Sequence, residues 1–177
     1  MIATASPNML AVARRYVAAG LSVIPVKADG SKAPLYSGWR EYTDRLPTDD
    51  ELVEWFKDRN NVGIGVVPGP ASGNLVVLDF ENKGGASAFA EWLNGLAPEL
   101  KAYLPICPVV RTPSGGRHIW VRLPASVCGG KLSRYAKGDT KVEIRGAGHQ
   151  VLAPGCPPEC HKSNEPYVFE TEGWMAS

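Results

Sequence analysis

The 177-residue chain has no apolar run approaching the roughly 20 residues of a membrane span, so no transmembrane helix is expected. Its first residues lack the basic, apolar and small-residue order of a secretory signal. Cysteine is scarce. Cys107, Cys128, Cys156 and Cys160 are too few for a disulfide framework, and with no signal segment they point to a reducing cytoplasm. Charge of one sign is lacking too: a net charge of +1 excludes a basic footprint over the whole domain but leaves room for a local basic groove. There is no internal repeat, no low-complexity linker and no G-x-x-x-x-G-K-[ST] loop, so any helicase activity would reside elsewhere.

What is present is ordinary globular composition, 44% hydrophobic and 21% charged, with enough length for one domain with its own core over residues 1–177. A helix is predicted over 7–19, with Ser6 as cap, Pro7 in the first turn, Gly20 as stop and Leu10, Ala13 and Val17 on one face. A strand over 21–26 and a turn-rich loop to Trp39 follow. Thr48-Asp49-Asp50-Glu51 reads as a capping box opening a helix to about residue 57, with Leu52, Trp55 and Phe56 inward. Strands are predicted over 61–67 and 74–81, then a helix over 85–96 with Phe89, Trp92, Leu93 and Leu96 on one side. Further strands fall at 109–112, 117–123, 141–145, 150–153 and 167–170. Helices early and strands crowded late give an α+β domain on an antiparallel or mixed sheet.

Leu75-Val-Val-Leu-Asp79-Phe-Glu81 carries the most chemistry. Side chains alternate along a strand, so Asp79 and Glu81 share a face opposite Phe80. Two carboxylates so placed repel unless a positive group joins them, and a hard divalent cation with oxygen ligands would serve. Ser114-Gly115-Gly116-Arg117-His118 is a glycine turn entering a strand, where consecutive amides can form an anion nest and His118 can reach a phosphate. In Lys141-Val-Glu143-Ile-Arg145-Gly146 the acid and the arginine again share a face, and Lys32 adds a point charge from an early loop. Each feature taken singly also reads as ordinary structure: a strand end, a hairpin turn, a solvent-facing Glu/Arg pair and a surface lysine, with Trp39 as a core anchor. Cys156-Pro-Pro-Glu-Cys160-His161 groups three soft ligands. The paired spacing of structural zinc sites is absent, so a Pro-rich loop with partly buried cysteines is expected rather than Zn²⁺.

Taken in order, these features resemble the primase-polymerase domains of the archaeo-eukaryotic primase superfamily, especially those of phage and plasmid replication proteins. The resemblance spans nearly the whole chain: the Lys32, Pro34, Gly38-Trp39 loop, Asn61 to Gly65, the D-x-E of Asp79 and Glu81, the S-G-G-x-H turn, the Glu143 to Gly146 strand and a closing segment with Gln150 to Pro154, His161 and Pro166-Tyr167. Two positions depart from the family: Glu143 stands where aspartate is usual, and His149 where glycine is common.

The resemblance implies a primase-polymerase fold, with an RRM-like catalytic half on a mixed or antiparallel sheet, flanking helices and an N-terminal α/β half. It implies template-dependent nucleotidyl transfer with two Mg²⁺ or Mn²⁺ ions on Asp79, Glu81 and Glu143, and His118 in the catalytic set. Ser114, Gly115, Gly116, His118, Arg145 and Lys32 would hold the incoming NTP or dNTP. Single-stranded DNA template and primer would be the partners, gripped by Lys32, Arg40, Lys131, Arg134 and Lys137, with a helicase fused or separate and no membrane. The chain would be the N-terminal part of a longer replication protein, working in the host cytoplasm. Two rivals use the same residues. One is a metal-dependent nuclease or initiator phosphodiesterase, which would want a nucleophilic tyrosine or paired histidines, whereas the histidines stand apart at 118, 149 and 161. The other is a non-catalytic single-strand binding module that would stack bases on Tyr36, Trp39 and Trp120.

Overall fold

The apolar run ahead of Asp79 forms the strand on which the molecule is organised. The computed structural model describes residues 8–59, 61–83, 86–134 and 140–176. Helix α1 (Met9–Ala18) is capped by Asn8, whose side chain accepts from the Ala11 amide at 3.2 Å. The predicted cap Ser6 and first-turn Pro7 lie outside the described residues. The helix buries Met9, Ala13 and Tyr16, so its inward face is rotated from the predicted one and Leu10 and Val17 pack at its margin. Strand β1 (Ser22–Lys27) follows, then helix α2 (Asp49–Phe56). The α2 capping box is complete: Glu51 donates its amide to Thr48 Oγ1 at 3.3 Å, and its carboxylate accepts the Thr48 amide at 2.7 Å. Leu52, Trp55 and Phe56 are buried, as their spacing requires.

Next come β2 (Val62–Val67), β3 (Leu75–Phe80) and a short ribbon of β4 (Asn82–Lys83) and β5 (Ala86–Ser87). Helix α3 (Ala88–Gly95) starts later than predicted because the Ser87 side chain caps it, accepting from the Ala90 amide at 3.1 Å. After a short α4 (Pro98–Lys101), the rest is strand: β6 (Val109–Arg111), β7 (Arg117–Arg122), β8 (Gly130–Arg134), β9 (Thr140–Arg145), β10 (Val151–Leu152) and β11 (Val168–Thr171). No helix among the described residues is long and apolar enough to cross a membrane.

Two sheets result, in the orders β1-β2-β10 and β11-β6-β7-β3-β9-β8, and every pairing between these strands is antiparallel. The domain is therefore α+β, and the mixed sheet is not realised. The expected N-terminal α/β half is instead an antiparallel sheet that takes its third strand, β10, from late in the chain. Leu75, Val77, Val110 and Trp120 of the large sheet join β1, β2, α1 and α2 in the main core. Its other face, with Phe80, Ile119 and Val142, is covered by Phe89 and Trp92 of α3 in a second, smaller core.

Two local devices hold this frame. Gly116 packs so closely that a Cβ there would lie 2.1 Å from the Phe80 carbonyl oxygen. Arg45 pairs with Glu51 at 2.7 Å and Glu41 at 2.8 Å, and its guanidinium covers the Tyr42 ring at 4.4 Å. The hydrogen bonds from Arg45, opposed by burial and helped by the Thr48 amide and Tyr42 hydroxyl, bring Glu51 from the ordinary 4.5 down to about 2. A carboxylate whose folded-state value is depressed contributes stability that is fully present above pH 4.5 and lost as pH falls towards 2. Denaturant unfolding across that window should thus show a wild-type decline that Glu51→Gln flattens; superimposable profiles would exclude this linkage. Gly116→Ala should destabilise the domain by roughly 1–3 kcal/mol in the same assay, since the Phe80 backbone must move.

Candidate active site

Side chains paired directly across neighbouring strands share a face, and one such row crosses the whole large sheet. It reads Phe169, Val110, His118, Asp79, Glu143 and Lys131 from β11 to β8. The row is apolar at one end and charged at the other, and Asp79 on the central strand has His118 and Glu143 as its two neighbours. Along β3 the same face runs Leu75, Val77 and Asp79, and Glu81 follows just past the end of the strand. The first two lie in the core between the sheets, and the acids begin where that core ends. The sequence thus places a carboxylate where the sheet emerges from its apolar packing.

Asp79 is only 8% exposed. One oxygen lies 3.4 Å from His118 Nε2 and the other accepts from Arg145 Nε at 3.3 Å. Burial raises the carboxyl's proton affinity, but the His118 and Arg145 charges and hydrogen bonds outweigh it and hold Asp79 below its ordinary value. Arg145 also reaches Glu143 Oε2 through Nη2 at 3.0 Å, so one guanidinium ties two of the three acids. Glu81 is placed two residues on, its amide bonded to the Lys141 carbonyl at 3.0 Å. Among the described residues no three His, Cys, Asp or Glu side chains converge in a geometry that would hold a metal ion, because Asp79 and Glu143 both turn to Arg145.

Lys32 comes to the same cleft from the loop after β1, in a left-handed backbone conformation (φ 60°) fixed by Gln150 Nε2, which donates to its carbonyl at 2.8 Å. Its ammonium lies 6.0 Å from the centre of the buried Tyr167 ring. Burial lowers the Lys32 proton affinity, and Asp79 and Glu81 partly restore it. Ser114 stands on the hairpin turn between β6 and β7, with Gly115 in the left-handed region (φ 82°). The Gly115 amide donates to the Thr112 carbonyl at 2.9 Å and is spent inside the turn, so the expected nest of consecutive amides lacks it. Gly116 serves close packing instead.

Two cleft residues were not among the sequence candidates for the site. His161, 4% exposed, faces Ser114 Oγ at 3.5 Å through Nε2, and Tyr167 lies between it and His118 with ring centres 6.2 and 5.9 Å away. The soft-ligand cluster hid His161: Cys156 and Cys160 are buried against β2 while His161 turns to the cleft. Of the template candidates, Lys131 pairs with Glu143 and is exposed, and Arg40 stacks over Trp39 at 5.0 Å. Lys137 and the side chain of Arg134 lie outside the described residues. Trp120 is fully buried and cannot stack on a base, Trp39 packs against the core, and of the proposed stacking trio Tyr36 alone is well exposed. No curated protein matches the sequence. A family model described as bifunctional DNA primase/polymerase, N-terminal, matches residues 13–176, and the chain therefore belongs to the Prim-Pol family of DNA primase/polymerase nucleotidyltransferases.

Proposed function

We propose that the cleft carries out template-dependent nucleotidyl transfer, adding NTP or dNTP to a primer on single-stranded DNA, with Asp79, Glu81 and Glu143 as its catalytic acids. The observation that carries this is the row His118–Asp79–Glu143 across three adjacent strands at the mouth of the inter-sheet cleft. The chemistry of the donors suits a divalent cation, although they do not converge on one in this arrangement: Asp79 and Glu143 are hard carboxylates facing one another across β3 and β9, Glu81 follows two residues on, and the Arg145 guanidinium stands in as the positive charge joining the first two. Mg²⁺ or Mn²⁺ ions held by Asp79, Glu81 and Glu143 would supply Lewis acidity towards the primer 3′-hydroxyl and charge neutralisation at the pyrophosphate. The longer Glu143 side chain keeps the charge of the family's aspartate and adds one methylene of reach.

The remaining work falls to the chain's own groups. His118, 5% exposed and set against Asp79, fixes that carboxylate's orientation beside the nucleotide, while its Nδ1 is buried without a hydrogen-bond partner among the described residues. Arg145 has a planar fork suited to phosphate oxygens and the reach to leave Glu143 for them. Ser114 and Lys32 line the same cleft and bind the nucleotide's phosphates. Lys131, at the open end of the row, is placed to meet the template backbone. The motif order supports a setting in phage or plasmid replication, with strand separation supplied by a helicase.

Primer extension with separate NTP and dNTP pools tests this reading. Asp79→Asn should lower kcat/KM at least about a hundredfold, since several kcal/mol of charge stabilisation are lost at about 1.4 kcal/mol per tenfold. The variant should still fold, because Arg145 keeps Glu143 as a partner; extension near wild-type rates by a folded Asp79→Asn protein would reject the assignment. Chelation of divalent cations should stop synthesis and their return restore it. Glu143→Asp should retain activity while Glu143→Ala loses it, the pair being compared at several Mg²⁺ and Mn²⁺ concentrations.

A further inference from the structure

Across the cleft from Asp79, His161, Ser114 and Lys32 gather around the Tyr167 ring. Two thiols hold the loop that carries His161. Cys156 Sγ is 3.0 Å from the Ile64 amide nitrogen, and Cys160 Sγ lies where a Cβ on Gly63 would meet it at 2.3 Å, so the loop is pinned to β2 over a glycine. The next residue, His161, turns the other way. The Ser163 amide donates to its Nδ1 at 3.1 Å, and an amide only donates, so Nδ1 keeps its lone pair and the neutral ring carries its proton on Nε2. Nε2 is the atom facing Ser114 Oγ. Burial, then Lys32 and Lys162, lower His161's proton affinity, which leaves it a neutral donor rather than a cation. Lys32 completes this wall of the cleft and feels Asp79 and Glu81 from the other side.

We propose that His161, with Ser114, Lys32 and Lys162, forms a seat for the terminal phosphates of the incoming nucleoside triphosphate and for the pyrophosphate that leaves. The proposal deepens the nucleotidyl-transfer reading and rests on it for the identity of the ligand, but the seat itself is defined by donors that need none of the acids. A buried N–H whose ring is locked by a backbone amide is a donor in place before the ligand arrives, so little ordering is lost on binding. The neighbouring Tyr167 ring packs beside His161 and under the Lys32 ammonium, which keeps both in register.

The probe is inorganic tripolyphosphate, added in chelator to the whole chain without template. Histidine-labelled wild-type protein has three imidazoles, and the His161 Nε2–H resonance should shift and saturate. His161→Ala should weaken tripolyphosphate binding about tenfold to a hundredfold, as expected for a hydrogen bond to a charged group. It should raise KM for nucleotide more than it lowers kcat. Lys162→Ala, at an exposed position where folding is not at stake, should weaken binding by a smaller factor. Asp79→Asn should bind tripolyphosphate at least as well as wild type. An unshifted His161 resonance, or unchanged affinity and KM in a folded His161→Ala protein that extends primers, would overturn the seat. So would displacement of tripolyphosphate by an oligonucleotide lacking a 5′-triphosphate with the same dependence on His161, which would assign the wall to template phosphates. Wild-type protein that binds tripolyphosphate at His161 yet never extends a primer would instead uphold the anion seat and sink nucleotidyl transfer.

Discussion

A buried, ionised carboxylate in the middle of a sheet is the constraint on which the rest of this structure depends. Taking an ion such as Asp79 out of water costs several kcal/mol even after relaxation, and a bare acid there would instead hold its proton. Arg145 and His118 change that outcome, and both reach Asp79 only because β9 and β7 flank β3 in a fixed register. A slip of one residue would turn His118 or Glu143 to the opposite face and put Ile119 or Ile144 beside the acid. Register here decides chemistry as well as packing.

What secures the register is the apolar half of the same strands. Val77 faces Trp120, which is fully buried and meets Tyr16 of α1 and Phe169 of β11 at ring-centre distances of 6.1 and 5.9 Å. On the reverse face Phe80 is locked against Phe89 and Trp92. Asp79 therefore stands between two aromatic clusters, one on each side of its strand. A charged site carried on strands packed this way is held more closely than one on loops, and the loops that do enter it are tethered: Lys32 through Gln150, and His161 through the Cys156–Cys160 anchor.

Features that depend on neighbours in sequence were legible. The alternation in Leu75 to Phe80 gave a strand with two acids on one face, and Thr48 with Glu51 marked where α2 begins. Features that depend on distant segments were not. Strand β8 (GKLSR) went unpredicted because it is a sheet edge with Leu132 59% exposed, so no apolar alternation marks it. β10 joins a sheet whose other strands lie over 80 residues earlier. His161 went without a role for a related reason. Spacing grouped it with two cysteines, but a 3₁₀ turn at Pro158–Cys160 sends the thiols inward and the imidazole outward, 47 residues from the serine it faces. The glycine turn was legible as a turn, and its spent amide was not, since that depends on which carbonyl the hairpin supplies.

The cleft is polar in the electrostatic sense, and this bears on how one site can bind a polyanion beside three acids. Asp79 and Glu143 share the guanidinium of Arg145 at one end, with Glu81 two residues on; Lys32 and Lys162 act on the neutral donor His161 at the other. A triphosphate brought to the acids without compensation would be repelled, and one held at the donor wall alone would be far from the reacting hydroxyl. Lys32 feels both ends, which puts a positive charge where the two fields meet. Guanidinium groups keep their charge in proteins, so anything cationic that takes over Asp79 and Glu143 would displace Arg145 rather than neutralise it. In the proposed reaction the same guanidinium that makes a buried acid tolerable in the folded protein would then be free to turn to the substrate once the acids are loaded.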